Sequence, residues 1–513
     1  MARRISKQTM LPPQTIVPTG GVNLGNAPVD LNNDELSNSL NGYYPKDSAR
    51  WTVRPGIECV TDATNKLSEP ILAIKPYYNG TTQYLMGVSG GKLYQMTKAV
   101  LDSSPAWTEV GSLTDATTKP SMLTYQSLLI VADGGTSVRY WDGTTYGALT
   151  NSPAGCTALA ESRGRLIGNS SSALDYVYLS APYFSDKNWE SGSGQLEIAA
   201  GFGDGVPVNA FSVGPGGVDM LVSKRNAEQG VAQIRRLLMS DSDTANWYVS
   251  EPSVGNSGAQ NAHGMLDAFG RTFYFDDSGI RAIDATDTYV DVQPSPHFGK
   301  RINKMFDAFS SEVMEISYLT TLGAWMILFK AHAQQYLYFP RNDAFCPWRL
   351  SGAIINSVCT IDGDIYMGSE DGNLYRMNED LDADEIQPDE SAVPIESYGR
   401  TKKFISSGRN MILKRSTLAM TPIKSGTLTA RAILNDQEAT ATLKEFAVSD
   451  GAELLGAATY LLGEATTLLG DLGAEPTLKT VRGGPKDRGL QFEWYGRGSR
   501  YEIEHIILEL AAQ

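Results

Sequence analysis

Apolar and polar residues alternate with a period of two along most of this chain, and the alternation stops at turns rich in Gly and Asp. The stretch YLMGVSGGKLYQM, residues 84–96, is one copy: an apolar run, a Gly-Gly turn, then a second run carrying aromatic residues. LLIVADGGTSVRYWDG, RTFYFDDSGIRAID and DIYMGSEDGNLYRM repeat the form, and RLIGNSSSALDYVYLS, MLVSKRNAEQGVAQIRRLLM and AWMILFKAHAQQYLYF do so around longer turns. Such alternation about a turn predicts a β-hairpin. The seven hairpins fall in blocks that begin near Ile71, Ser121, Thr157, Val208, His263, Val313 and Ile355. A spacing of about 36 to 55 residues is the size of one four-stranded propeller blade. Several blocks place a Trp late, in AWTEV, KNWES, ANWYV and CPWRL, where an outer strand is expected. No helical period runs through the blocks, which excludes a helical repeat. The prediction is an all-β chain in which residues 61–378 form a β-propeller of seven blades. Six blades with one block as an insertion is the alternative, and a many-stranded sandwich is the competing architecture. The ring closes best if an early strand, within Trp51–Val60, completes the last blade.

The flanks read differently. Residues 1–60 read as an extended arm with a possible ring-closing strand; the stretch to about Gly42 is rich in Pro, Asn and Gly with little periodicity, which predicts either disorder or an arm lying on a neighbour. Residues 379–396 hold eight acidic residues, two prolines and no Lys or Arg, and read as an exposed acidic linker. The next segment inverts the sign: Arg400, Lys402, Lys403, Arg409, Lys414, Arg415, Lys424 and Arg431 stand before Asn435 with no acid among them. Runs such as TLTARAIL, ATLKEFAV, LQFEWYG and YEIEHIILEL predict a smaller C-terminal β-domain over 397–513, ending in a strand pair. Its interior is interrupted at 453–473 by three seven-residue units, LLGAATY, LLGEATT and LLGDLGA. As a helix the stretch has one apolar stripe, but each of its three glycines costs about 1 kcal/mol relative to Ala. Short strands ending in Gly turns suit the β surroundings better. The paired leucines Leu454, Leu455, Leu461, Leu462, Leu468 and Leu469 either pack on their own domain or form a contact with a neighbouring protein.

Composition narrows the function. A chain of 513 residues is long for one domain. Its net charge of −15 makes it a poor general nucleic-acid binder, because phosphate contacts need Lys and Arg. Cys59, Cys156, Cys346 and Cys359 match no zinc spacing and are expected as isolated core residues in a reducing compartment. The start MARRISKQTMLPPQ has no apolar run behind it, and no uncharged run is long enough to span a bilayer. A soluble protein made in a cytoplasm is expected. His263, His297, His332 and His505 stand in unrelated contexts, and no nucleophile elbow, P-loop or dinucleotide fingerprint is present. Asp380-Leu-Asp-Ala-Asp begins like a calcium loop but has Glu385 at the sixth position and Ser391 at the twelfth. No enzyme activity, metal or cofactor is expected.

The opening GGVNLGNAPVDLNNDELSNSLNGYYPKDSARWTVRPGIECV places Gly20, Gly21 and Asn23 before Leu40 and Asn41, and these before Arg54, Pro55 and Gly56. The later GRLIGNSSSALDYVYLSAPYFSDKNW carries Tyr178, Ser180, Asn188 and Trp189. In these features the chain resembles the tail nozzle, or packaged-DNA stabilisation, proteins of short-tailed bacteriophages. Residues 436–513 match only in style. The resemblance implies a β-propeller with an added β-domain, acting as a structural component of the virion tail and made in the bacterial host cytoplasm. It implies a ring of about six copies, closed by head-to-tail contacts, below the portal and adaptor proteins. The ring would continue the channel for packaged double-stranded DNA and retain the genome until ejection. A tail fibre, needle or other tail protein is implied as a further neighbour. Lys402, Lys403 and Arg415 are then candidate contacts to the acidic segment of another copy, and the paired leucines to the next subunit or a neighbouring tail protein. The competing functions are a carbohydrate-binding propeller used in host recognition and a sialidase-like hydrolase, which would need arginines clustered at the propeller centre.

Overall fold

A computed structural model describes residues 8–201, 203–215, 219–268, 270–285, 292–294, 298–303, 313–387, 391–406, 409–434, 439–448, 477–482 and 486–513. Seven antiparallel sheets follow one another from Ile71 and form the blades of a propeller. Their first strands are Ile71–Asn79, Ser121–Tyr125, Leu159–Ser162, Val208–Val213, Met265–Ala268, Val313–Leu319 and Ile355–Ile361. Each first strand packs on the next, and the last packs on the first, so the ring is closed. The seven hairpins legible in the sequence are the second and third strands of the seven blades. These middle strands are sandwiched between neighbouring blades, so Leu128–Ala132 and Ala324–Phe329 are buried along their whole length. Burial on both faces is what turns alternation into a continuous apolar run. Trp107, Trp247 and Trp348 stand at or just before fourth strands, and Trp189 lies in the connection that leads to one. A short helix, Lys98–Ser103, capped by the Thr97 hydroxyl, links the third and fourth strands of blade one.

The early segment splits between two units. Gly56–Cys59 pairs with Leu374–Asn378 and is the fourth strand of blade seven, closing the ring. Trp51–Val53, expected in the same closing strand, instead pairs with the C-terminal strand Arg500–Ala512. Pro55 lies between the two pieces and cannot donate to a ladder.

The C-terminal part is a two-sheet sandwich. One sheet runs Gly42–Tyr43, Trp51–Val53, Arg500–Ala512, Met411–Lys424, Thr477–Arg482. The other runs Asn38–Leu40, Glu396–Arg400, Gly489–Arg497, Gly426–Leu434, Ala439–Val448. The final two strands were expected to pair with each other. They lie in opposite sheets, each paired with a different strand: Met411–Lys424 for the last and Gly426–Leu434 for the one before. Trp51 and Trp494 meet edge to face across the sandwich, 5.3 Å between ring centres. The core they anchor continues through Tyr44, Phe339 and Trp348 into blade six.

From residue 8 onward the N-terminal arm packs on its own chain. Thr9–Met10 and Gln14–Ile16 pair with Arg500–Ala512, and Asn38–Leu40 pairs with Glu396–Arg400. Ile16, Val22, Leu36 and Leu40 are buried. These apolar residues are too sparse to show a period, yet each finds a site on the same chain. Gly21 has φ +66°, and a Cβ there would sit 2.7 Å from the Phe345 backbone nitrogen, so only glycine lets the arm approach blade six this closely.

The acidic linker is also corrected. Ala383–Asp384 runs parallel to Gly56–Cys59 and pairs with Val393–Pro394. Asp384 is fully buried and binds the Arg54 guanidinium through two contacts, 2.7 and 2.5 Å. Arg54 is itself 1% exposed, donates through Nε to Asn41 Oδ1 and through Nη2 to the Arg349 carbonyl, and lies over the Trp348 ring. Charge composition reads Asp384 as solvated, whereas one distant arginine makes its burial affordable. Asn41, Arg54 and Asp384 thus knot the arm, blade six and the segment after blade seven together.

Candidate functional site

Four of the seven first strands carry a β-bulge near their start. Pairing passes from Ile71 to Ala73, from Val208 to Ala210, from Val313 to Glu315 and from Ile355 to Ser357 while the partner strand advances by one residue. A bulge leaves its extra residue outside the ladder and re-aims side chains. The extra residues of blades one, four and seven are Leu72, Asn209 and Asn356, and all three line one cavity of 690 Å³ at the mouth of the propeller axis. Glu69, Thr118, His263 and Glu370 also line it.

The floor of the cavity is a polar knot built from five blades. Lys119, just before the first strand of blade two, forms an ion pair with Glu315 of blade six, their side chains 7% and 12% exposed. Its Nζ also donates to the Asn356 carbonyl of blade seven at 2.9 Å. Glu315 accepts from the hydroxyls of Ser317 and of Ser357, the latter at 2.7 Å. The Ser357 hydroxyl accepts from the Ile74 amide of blade one at 3.0 Å. His263, ahead of blade five, meets the Lys119 carbonyl through Nε2 at 3.1 Å.

Burial alone would raise the Glu315 carboxyl, but the Lys119 ammonium and the serine hydroxyls outweigh it and hold the group below its usual range. Desolvation pulls Lys119 down, with Glu315 opposing, and pulls Lys75 down likewise. The His263 imidazole is pushed down to about 4 by desolvation and then by the Lys119 charge. His263 is therefore neutral at pH 7, with Nε2 as the donor to the Lys119 carbonyl. An imidazole this weakly basic and an ammonium held in an ion pair are poorly poised for proton transfer or nucleophilic attack near neutrality. The arrangement is suited to binding by hydrogen bonds.

The lowered His263 pKa sets a stability trend. Between about pH 6.5 and 4 the unfolded chain binds a proton that the folded chain refuses, so stability falls as pH drops through that window. His263→Gln keeps a donor for the Lys119 carbonyl and removes the titration. Its melting temperature should fall less steeply over that window than that of the parent, measured by differential scanning calorimetry.

The contact residues expected from sequence are not brought together. Lys402 lies over the Phe404 ring, 5.6 Å from its centre, and the Lys403 amide donates to the Pro28 carbonyl, both next to one sheet of the sandwich. Arg415 stands in the other sheet and pairs with Glu509. Arg400 and Arg431 pair with Glu493, so three arginines of the basic run find acids on their own chain. Leu454, Leu455, Leu461, Leu462, Leu468 and Leu469 lie outside the described residues, as does the choice between helix and strand for 453–473. The four cysteines are buried and free. Lys119, Glu315, Asn356 and Ser357 were not singled out by sequence reasoning. The available signal was a polar residue within a few positions of each block start.

The other residues of the resemblance hold turns. Ser180 Oγ accepts from the Leu166 amide at 2.9 Å, and buried Trp189 donates its amide to the Thr150 carbonyl at 2.9 Å, tying blade three to blade two. Asn23 bonds Glu35 at 2.8 Å.

No family model matches the chain, and no curated protein matches it in sequence. Among solved structures, YCF48 bound to a D1 peptide is similar over 63% of this chain and 97% of its own, with 12% identity and a TM-score of 0.40.

Proposed function

We propose that this chain is a structural protein of a phage virion, forming a nozzle ring of about six copies below a portal and adaptor. The observation that carries the reading is the seam at Arg54. The residues of the nozzle resemblance, Asn41 and Arg54 with Gly21 nearby, are the ones that join arm, propeller and sandwich. In this reading they are framework residues of a subunit built to carry load. In this reading the DNA channel runs between copies, since the Lys119–Glu315 ion pair bridges blades across the propeller's own axis. Walls of net negative charge let a polyanion slide without sticking. The hydrolase alternative is less well supported, since no arginine is among the described residues lining the axial cavity.

Electron microscopy of the purified protein tests the proposal. A ring with a bore wide enough for duplex DNA is expected, and a stable monomer under conditions that assemble portal and adaptor would overturn it. Charge reversal of Lys402, Lys403 and Arg415 together should weaken ring assembly by about tenfold, equivalent to about 1.4 kcal/mol, measured by analytical ultracentrifugation. Unaltered assembly would remove those residues from the interface. Replacing Leu461, Leu462, Leu468 and Leu469 with Ser should impair assembly while the monomer still folds.

A further inference from the structure

We propose that the cavity at the propeller axis binds a short neutral oligosaccharide. The walls are contributed by bulged positions, which spend regular pairing to present Asn209 and Asn356 at the cavity. Bulges are enriched beside functional sites because they re-aim side chains. Lys119 Nζ has three protons and two partners among the described residues, Glu315 and the Asn356 carbonyl, leaving one donor at the floor. His263 donates through Nε2, so its Nδ1 is an acceptor with no partner among the described residues. A donor and an acceptor are thus left on two residues that line the same cavity, which suits a sugar hydroxyl because one hydroxyl both gives and accepts.

Charge decides against ionic ligands. An anion reaching Lys119 meets Glu315 at the floor and Glu69 and Glu370 at the wall, three carboxylates against the two lysines of the lining, Lys119 and Lys330. A cation meets Lys119 itself, with Lys75 buried in the same electrostatic neighbourhood as Glu315. The volume of 690 Å³ lies within the range of small-molecule sites, about 300–1,000 Å³. No Phe, Trp or Tyr is among the described residues lining the cavity, so recognition rests on hydrogen bonds and the affinity is modest, a Kd of about 1 mM. The site stands apart from the nozzle reading: it is read by ligand binding, whereas the nozzle is read by ring assembly, and either can fail without the other.

The test uses the full chain with maltose, lactose and N,N′-diacetylchitobiose as probes, and sialyllactose and the chitosan dimer as charged comparators. Binding is followed by saturation-transfer NMR and titration calorimetry. At least one neutral probe should bind in the millimolar range and more tightly than either charged comparator. Thr118→Trp and Ala262→Trp place a large ring at the mouth without touching the ion pair, and each should weaken binding by at least about tenfold. Circular dichroism identifies whether both variants fold; if one does not, the other decides. Absence of binding by every neutral probe, tighter binding of a charged comparator, or unchanged binding in a folded Trp variant would overturn the assignment.

Discussion

Arg54→Ala is expected to destabilise the protein by about 3–5 kcal/mol, the usual cost of removing one partner from a buried ion pair. The remaining Asp384 carboxylate is fully buried, and its other recorded donor is the Ser351 amide at 3.2 Å. The Asn41 side-chain oxygen and the Arg349 carbonyl lose a donor at the same time. The measurement is the midpoint of urea unfolding at constant slope, which separates a stability change from a change in compactness. Arg54→Met with Asp384→Leu removes both charges and should recover part of the loss. It should not recover all of it, because each orphaned polar group at the seam costs about 1–3 kcal/mol. If Arg54→Ala shifts the midpoint no further than an ordinary surface substitution, the seam does not hold the two units together.

A chain that begins at Thr61 is expected not to fold. Removal of residues 1–60 takes away the closing strand Gly56–Cys59 and every arm strand of the sandwich. Among the buried side chains it removes are nine large apolar ones: Ile16, Val22, Leu36, Leu40, Tyr43, Tyr44, Trp51, Val53 and Ile57. At about 1.5–3 kcal/mol each, their burial is worth about 14–27 kcal/mol as an upper estimate. A native domain is stable by about 5–15 kcal/mol. Circular dichroism and size-exclusion chromatography should therefore report an unfolded or aggregated species. A cooperative melt near that of the parent chain would show that blade seven closes without its fourth strand.

The propeller was legible because its information is local. In YLMGVSGGKLYQM both strands and their turn lie within thirteen letters, and the register is set by the turn. The arm was not legible, since its partners are remote: Gln14 faces Leu508 and Leu40 faces Tyr398. A short strand with a distant partner leaves no periodic trace. Asp384 was misread for the same reason, as nothing near it in sequence announces Arg54. The axial site was partly legible. Block starts near His263, Val313 and Ile355 were placed, but a bulge is a two-strand property, so Asn209 and Asn356 carried no mark of their own. The knot at Glu315 assembles from residues of five blades and exists only once the ring is closed.

The pairing of Thr9 with Ala512 ties the arm to a strand made about 500 residues later. The closing strand of the propeller waits for Leu374–Asn378, and Trp51–Val53 waits for Arg500–Ala512. At about 5–20 residues per second, a ribosome needs about 25–100 s to make a chain of this size. For that interval the arm's buried residues have no partner and stand exposed. Contacts of such long range are also slow to form once the chain is free. The protein should therefore be a client of chaperones during translation, and circular permutants that bring residues 8–60 next to residue 512 should acquire native structure faster than the parent.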